Sequence, residues 1–329
     1  MPNKILNWGL LSTARINRAL IPPLRASKRN QLVAVGSRTL ESAEKYAREW
    51  KISRTYGSYE ALLADPEIDV IYNSLPNHLH AEWTIKAVEA GKHVLCEKPL
   101  ALTVEEVDAI RDAARKHERV VTEAFMYRHH PQTLKAQELV RSGSLGDLRL
   151  IRGSYTYMLS REGDVRLDPA MGGGSIWDVG CYPISYARSV IGAEPIEVFG
   201  WQVTGPTGID NTFVGQMRFE HEVYAQFDSS FVTPLHAFME VIGSEGTLNI
   251  PKPFKPGTDD KIYLTRGDKT ETIHFKGQEL YLGEVEDMTD AILLGREPRI
   301  SLEDSRANVT VIRALLESAR LARSVKVEF

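Results

Sequence analysis

Short apolar runs alternate with charged segments along the first third of the chain. The runs are rich in β-branched residues, and the segments between them carry apolar residues at helical spacing, a pattern typical of β–α–β units and a parallel sheet. We predict strands at Ile5 to Leu11, Gln31 to Ser37, Val70 to Ser74, His93 to Cys96 and Arg119 to Ala124. We predict helices at Glu41 to Trp50, Asn77 to Ala90 and Val104 to Lys116.

The pattern changes after about Tyr127, where longer runs of alternating apolar and polar residues begin. Alternation with a period of two residues predicts antiparallel strands with one face in solvent. These strands are predicted at Arg149 to Met158, Ile196 to Val203, Thr212 to Phe219, Val223 to Phe231 and Phe238 to Ile242. Helices are predicted at Gln132 to Val140, Tyr281 to Leu294 and Leu302 to Ala322, with hairpin turns at 243–246 and 266–268.

The composition excludes some classes of partner. The 329 residues carry a formal net charge of -4 and no long basic or acidic run, so we expect neither nucleic acid nor a membrane surface as a partner. No apolar run reaches membrane-spanning length. The two cysteines, Cys96 and Cys181, lack metal-ligand spacing, and we expect buried thiols in a cytoplasmic protein without a bound metal.

The segment WGLLSTARIN, Trp8 to Asn17, joins a predicted strand to a helix. Dinucleotide-binding enzymes often carry the phosphate loop G-x-G-x-x-G at such a junction, but here the glycine positions hold Ser12, Ala14 and Asn17. Small residues still allow a phosphate to approach the backbone, and an ordinary strand and turn explains the segment equally well on its own. The candidate cofactor residues are Ser12, Thr13, Ala14, Arg15 and Ile16.

The second predicted strand ends without an acidic residue. An NAD enzyme commonly has Asp or Glu there to bind the ribose 2′-hydroxyl, whereas this chain has Ser37 and Arg38. Arg38 can bind a 2′-phosphate in fork geometry with Ser37 assisting, which favours NADP and leaves NAD as a weaker ligand. The alternative is that Arg38 is a solvated surface arginine.

Further candidates follow the next two strands. Pro76 ends a strand and Asn77 can cap the following helix, while His80 either binds a ribose or is a buried histidine with satisfied nitrogens. The candidate cofactor residues of this segment are Leu75, Pro76, Asn77 and His80. In GKHVLCEKPLA, Glu97 and Lys98 stand at the carboxyl end of a buried strand, where a charged lysine is costly without a partner or a function.

A second glycine-rich segment, GGGSIWDVGCYPIS, runs from Gly172 to Ser185. Asp178 and Tyr182 are four residues apart, so we predict an acidic and a proton-carrying group on one helix face. Glu97-Lys98-Pro99, Pro76-Asn77-x-x-His80 and this third motif together resemble the glucose-fructose oxidoreductase, inositol dehydrogenase and MocA (Gfo/Idh/MocA) family. The segment IGSEGTL and the closing helix extend the resemblance over nearly the whole chain.

The resemblance implies an NADP-dependent oxidoreductase acting on a small sugar or polyol, and a homodimer or higher homo-oligomer. It implies that Lys98, Tyr182 and Asp178 are catalytic, with Glu97 and Arg128 beside the cofactor. Free tyrosine has a pKa of about 10, and the ammonium of Lys98 would bring Tyr182 closer to the working range of a base. Asp178 would hold a substrate hydroxyl.

Departures from the common family pattern point to one branch. Tyr182 stands where histidine is common and Ser185 where aspartate is common. Tyrosine at that position, together with WGLLSTARIN and with EAFMYRHHP after the last strand of the first sheet, resembles the branch with NADP-dependent D-xylose dehydrogenases and dimeric dihydrodiol dehydrogenases. An aldose 1-dehydrogenase acting on a D-xylose-like sugar is therefore expected. The alternatives are a trans-dihydrodiol dehydrogenase, a ketosugar or dicarbonyl reductase, and a regulator that binds NADP without catalysis.

The predicted fold class is α/β. We expect a Rossmann-type doubly wound parallel sheet that binds NADP over residues 1–125. An α+β domain with a large, mainly antiparallel open sheet, for substrate binding and oligomerisation, is expected over residues 126–329. The closing helix, 302–322, is expected to pack back on the first domain.

Overall fold

A computed structural model describes residues 4–161 and 163–329. The chain divides into two compact units. The first consists of Met1–Met126 and Tyr281–Arg306, and the second of Tyr127–Leu280 and Ala307–Phe329. Each unit is built around its own sheet, with six strands in one and nine in the other among the described residues.

The first unit contains the predicted doubly wound parallel sheet. Its strands are β1 (Leu6–Leu11), β2 (Asn30–Gly36), β3 (Arg54–Tyr56), β4 (Val70–Asn73), β5 (His93–Cys96) and β6 (Val121–Glu123). The spatial order is β3-β2-β1-β4-β5-β6, and every pairing is parallel. The order reverses between β1 and β4, which makes their carboxyl ends the point at which such sheets bind ligands.

Helices connect these strands. They are α1 (Asn17–Ala26), α2 (Leu40–Trp50), α3 (Tyr59–Leu63), α4 (His80–Glu89) and α5 (Val104–Lys116). The sequence analysis missed β3 and α3, because three and five residues are too few for a periodic pattern to show. The predicted helix at Asn77 is also corrected: Asn77 begins a 3₁₀ turn, Asn77–Leu79, and the α-helix itself begins at His80.

The second unit contains a mixed sheet and two helices before the chain's closing pair. Its helices are α6 (Pro131–Arg141) and α7 (Cys181–Ile191), and its strands are β7 (Leu148–Met158), β8 (Glu197–Thr204), β9 (Asp210–Arg218), β10 (Tyr224–Ser230), β11 (Val232–Gly243), β12 (Thr247–Ile250), β13 (Asp259–Arg266), β14 (Lys269–Lys276) and β15 (Val325–Lys326). The spatial order is β14-β13-β12-β11-β7-β10-β9-β8-β15. The sheet is mainly antiparallel, as predicted, but β7 and β10 run parallel.

One face of this sheet is exposed, as the alternating pattern predicts. Along β9, Phe213 and Met217 are buried whereas Val214 and Gln216 are exposed. Two helices close the chain, α8 (Leu282–Leu294) and α9 (Leu302–Leu321). Among the helices of the described residues, none is both long and apolar enough to cross a membrane. Both cysteines, Cys96 and Cys181, are buried thiols.

Candidate cofactor and active site

Ser12 and Ser74 lie where β1 and β4 end. Their hydroxyl oxygens are 2.9 Å apart, and Oγ of Ser12 also accepts a hydrogen bond from the backbone N–H of Ala14 at 3.1 Å. The backbone of Ser12 has φ +129°, a value at which glycine is normally required. This loop therefore adopts a glycine-type conformation although it contains no glycine.

The helices that follow β1 and β4 begin without a side-chain cap from the described residues. By contrast, Thr39, Ser58 and Thr103 cap α2, α3 and α5. The first backbone N–H groups of a helix have no partner within the helix, and the helix dipole favours an anion there. The uncapped end of α1 at the strand-order reversal fits a phosphate of a dinucleotide, whereas the N–H of His80 at the start of α4 already donates to the carbonyl of Asn77.

Ser37 and Arg38 follow β2. Ser37 is buried, and its N–H donates to the carbonyl of Tyr56 at 3.0 Å, whereas Arg38 is exposed. Burial raises the pKa of Tyr59, and the positive charge of Arg38 opposes this shift, which places the guanidinium within electrostatic range of that phenol. The structure thus leaves Arg38 accessible to a ligand beyond β2.

His80 has both ring nitrogens in contact with backbone carbonyls. Nδ1 lies 2.7 Å from the oxygen of Pro99, and Nε2 lies 2.7 Å from the oxygen of Leu75. Burial lowers the pKa of His80 to about 4, although both carbonyl contacts act in the opposite direction. A neutral imidazole carries one N–H and a carbonyl oxygen only accepts, so the ring donates to one of these two carbonyls while it lies between the loop after β4 and the loop after β5.

Carboxylates and a tyrosine surround the Glu97-Lys98-Pro99 segment. The hydroxyl of Tyr72 donates to Oε1 of Glu97, and the backbone N–H of Lys98 donates to Oε2 of Glu97 at 3.3 Å. Glu123, at the end of β6, accepts from the N–H of Leu100 at 2.8 Å. The segment that carries Lys98 is therefore held by groups from β4 and β6 as well as by its own chain.

Sequence reasoning missed three residues of this cluster, Tyr72, Glu123 and Glu284. All three are buried, and burial together with the charges of Glu97 and Glu284 raises the pKa of Tyr72. The available signal was a tyrosine and a glutamate inside otherwise apolar strands, because buried polar groups need partners. Glu284, in the first turn of α8, gave no comparable local signal.

Asp178 lies in a π-helical turn, Ile176–Gly180, that precedes α7. The helical segment that carries Asp178 and Tyr182 therefore begins with a π-helical turn, which is wider than an α-helical one and which the sequence did not predict. The carboxylate of Asp178 accepts from the hydroxyl of Tyr157 at 2.7 Å and pairs with Nε of Arg166 at 3.1 Å. Sequence reasoning found neither partner, since Tyr157 and Arg166 come from other segments.

Asp210 holds the glycine-rich segment that leads into this turn. Its Oδ2 accepts from Oγ of Ser175 at 2.6 Å and from the N–H of Ile176 at 2.8 Å. Gly174 has φ +128°, and a Cβ there would lie 2.2 Å from Oδ1 of Asp210, so only glycine fits. Burial raises the pKa of Asp210 to about 6, against the lowering effect of these hydrogen bonds.

Tyr182 lies among aromatic rings of its own unit. Its ring centroid is 5.3 Å from that of Tyr155, 5.4 Å from Phe254 and 5.6 Å from Tyr127. One turn along α7, Oγ of Ser185 accepts from Arg128 at 3.0 Å. The ring of Tyr182 is thus fixed by packing, and Arg128 contacts the serine that stands in place of the family's usual aspartate.

Within residues 4–161 and 163–329, no group of three His, Cys, Asp or Glu side chains is arranged to hold a metal ion.

Two family profiles match this chain. One, described as an oxidoreductase family with an NAD-binding Rossmann fold, covers residues 6–125, and the other, the GFO/IDH/MocA C-terminal domain, covers residues 133–249. The chain belongs to the Gfo/Idh/MocA family. The expected family and fold class are thereby confirmed, and the protein is an NAD(P)-dependent oxidoreductase.

Similar proteins span nearly the whole chain. A D-xylose 1-dehydrogenase (NADP(+)) of Haloferax volcanii is 36% identical, covering 98% of this chain and 99% of its own. A trans-1,2-dihydrobenzene-1,2-diol dehydrogenase of Xenopus laevis is 30% identical, covering 94% and 97%. The crystal structure of aldose-aldose oxidoreductase from Caulobacter crescentus, complexed with glycerol, superposes with a TM-score of 0.92 at 26% identity, covering 98% and 100%.

Proposed function

We propose that this member of the family is an NADP-dependent aldose 1-dehydrogenase that oxidises a D-xylose-like sugar. The observation that carries the proposal is the placement of Ser12, Ser74 and Lys98 after β1, β4 and β5, at the edge of the parallel sheet where cofactors bind. The 36% identity to a D-xylose 1-dehydrogenase supports this substrate class. The exposed guanidinium of Arg38 supports NADP.

The cofactor is assigned to groups beyond the strand ends of the first unit. Backbone N–H groups of the loop from Ser12 to Ile16 bind the pyrophosphate, and Arg38 with Ser37 binds the 2′-phosphate. The segment from Leu75 to Asn77 and the backbone near Glu97 line the path to the nicotinamide. His80 contributes by its position between two of these loops, where its ring nitrogens face the carbonyls of Pro99 and Leu75.

Tyr182 is assigned the transfer of the proton of the reacting hydroxyl. The nicotinamide, when bound, supplies the hydride acceptor or donor. Tyr182 accepts the proton from the sugar oxygen during oxidation and returns it during reduction. Arg128 is the remaining residue assigned to the cofactor, and its guanidinium donates a hydrogen bond to Ser185.

Asp178 is assigned the role of accepting a hydrogen bond from a second hydroxyl of the substrate, next to the reacting one. Its pairing with Arg166 and Tyr157 favours the ionised carboxylate, which acts only as an acceptor. A carboxylate fixed by two donors can accept a sugar hydroxyl in a defined direction. This arrangement suits a neutral polyol, because Arg166 is already paired with Asp178 and Asp164.

A substrate panel tests the proposal. Purified protein is mixed with aldoses, inositols or trans-dihydrodiols and with NADP or NAD, and reduced nicotinamide is followed by absorbance. We expect the highest kcat/KM with a pentose and NADP. Preferred oxidation of a dihydrodiol would assign the activity of the Xenopus relative instead, and turnover only from NADPH with ketosugars would assign a reductase. No turnover in any combination, with NADP still bound, would assign the regulatory alternative.

We also propose that the protein forms a homodimer through the exposed sheet face of the second unit. Trp201 on β8 pairs in register with Val214 on β9, and both side chains are exposed to solvent, as is Tyr224 on β10. Trp201 is 60% exposed, which is unusual for so large an apolar side chain. A second copy of the same open sheet is the occupant that would cover this face.

A further inference from the structure

Ser12 has a backbone conformation that residues with a side chain rarely adopt. Two other non-glycine residues of the first unit with positive φ, Lys51 and Glu118, have φ values of 51° and 53°, within the ordinary left-handed region. Ser12, at φ +129°, lies far outside that region. Such a residue persists only where its surroundings hold it in place.

Asn17 makes the contact that acts on the main chain of Ser12. Its Nδ2 donates to the carbonyl oxygen of Ser12 at 2.9 Å, and the asparagine is completely buried. The contact of Ser12 with Ser74 and the bond from Ala14 involve the Ser12 hydroxyl instead. Asn17 is also the first residue of α1, so the bond fixes the end of β1 to the start of the helix.

The chemistry of this contact requires an amide. A carbonyl oxygen only accepts, so the NH₂ group of Asn17 must face Ser12. An aspartate has the same size but would place a carboxylate oxygen against that carbonyl. In the pattern G-x-G-x-x-G, Asn17 stands at the third glycine and Ser12 at the first, so the contact joins two of the positions that lost their glycines.

We propose that Asn17 is a positioning residue for the cofactor, because its amide holds Ser12 in the glycine-type conformation that the phosphate loop needs. Asn17 and Ser12 thus act as a pair that replaces the missing glycines. The inference rests on the proposed assignment of Ser12 to Ile16 as the cofactor loop. It adds a residue whose effect passes through Ser12 rather than through direct contact with NADP.

A double-mutant cycle of Asn17→Asp and Ser12→Gly tests the pair. In the wild-type background, Asn17→Asp is expected to raise the Kd for NADPH, measured by fluorescence titration, about tenfold. In the Ser12→Gly background the same change is expected to raise the Kd by a clearly smaller factor, because glycine adopts this φ unaided, whereas the buried carboxylate still faces the carbonyl of residue 12. Asn7→Asp is the control for the loss of an amide donor in a more exposed setting, since Nδ2 of Asn7 also donates to a backbone carbonyl, that of Glu67, near the amino end of β1.

The same cycle is measured by thermal unfolding without cofactor. Asn17→Asp is expected to lower Tm in both backgrounds, because the buried carboxylate faces the carbonyl of residue 12 in each, and to lower it less in the Ser12→Gly background, where no strained serine has to be held. Equal effects of Asn17→Asp in both backgrounds would overturn the inference, and so would coupling in Tm without coupling in NADPH affinity. If the wild type bound neither NADPH nor NADH, the proposed function would fail, whereas the coupling in Tm would still decide whether Asn17 holds Ser12.

Discussion

The hydroxyl of Tyr72 donates a hydrogen bond to the carboxylate of Glu97, one residue before Lys98. Tyr72 lies in β4 and Glu97 follows β5, so the bond links two neighbouring parallel strands at the edge proposed to bind the cofactor. Tyr72 is completely buried, and its hydroxyl has no access to solvent as an alternative partner. The orientation of Glu97 therefore depends on a residue that is not part of the motif.

Tyr72→Phe is expected to lower kcat about tenfold, because Glu97 loses its donor and no longer holds the backbone of Lys98 in one position. The Kd for NADP should change little. Steady-state kinetics and fluorescence titration measure the two quantities. Tyr56→Phe is the control, because it removes a comparable bond to Asp65, 2.6 Å long, elsewhere in the same unit. A kcat equal to that of the control would refute this role of Tyr72.

Tyr182→Phe is expected to reduce kcat by about 10²- to 10⁴-fold, the usual contribution of a general acid or base, while NADP binding stays nearly intact. Tyr186→Phe provides the control. It lies one turn further along α7, is also buried among aromatic rings, and its hydroxyl has no hydrogen-bond partner among the described residues. If both variants kept full turnover, the proton would have to be assigned to another group.

Arg38→Ala is expected to weaken NADP binding about 10- to 100-fold and to leave NAD binding almost unchanged, because only NADP carries the 2′-phosphate. The measurement is the ratio of kcat/KM for the two cofactors. Arg48→Ala, an exposed arginine on α2 whose ion pair with Glu44 is 3.9 Å long, serves as the control. A preserved preference for NADP in Arg38→Ala would refute the assignment.

Asp210 is expected to make stability depend on pH. Its pKa is about 6 in the folded protein and about 3.9 in an unfolded chain, so the folded state binds the proton more tightly. Its contribution to the free energy of unfolding is therefore full below pH about 4 and is lost as the pH rises through 6, about 3 kcal/mol in all and about 2 kcal/mol between pH 4 and pH 7. Urea unfolding at pH 4 and pH 7 measures the free energy of unfolding of wild type and of Asp210→Asn. The wild type should lose about 2 kcal/mol more than the variant between these pH values, and an identical pH dependence of the two would contradict the prediction.

Trp201→Glu is expected to convert the proposed dimer into monomers, because a carboxylate would be buried against the apolar face of the second copy. Light scattering coupled to size exclusion gives the mass of each species. Ile5→Glu changes an apolar side chain of similar exposure in the other unit and should leave the mass unchanged. A wild type that is monomeric at high micromolar concentration would exclude this dimer.

Local periodicity accounts for most of the fold that could be predicted. The parallel sheet, the mainly antiparallel sheet and its exposed face all follow from runs and alternations that lie within a few residues of one another. The sequence analysis missed β3 and α3 because they are too short to show a period. It also missed the parallel pairing of β7 with β10, because this pairing joins residues more than 70 positions apart.

The candidate site also combines residues that the sequence indicated with partners that it could not predict. The sequence indicated candidate site residues, Lys98, Asp178 and Tyr182 among them, since charged and polar groups at strand ends and in glycine-rich turns stand out against their neighbours. The tertiary structure decided their partners: Tyr72 for Glu97, Arg166 and Tyr157 for Asp178, and Asn17 for the strained backbone of Ser12. Hydrogen bonds and ion pairs join atoms a few ångströms apart whatever their distance along the chain, so no local pattern specifies them.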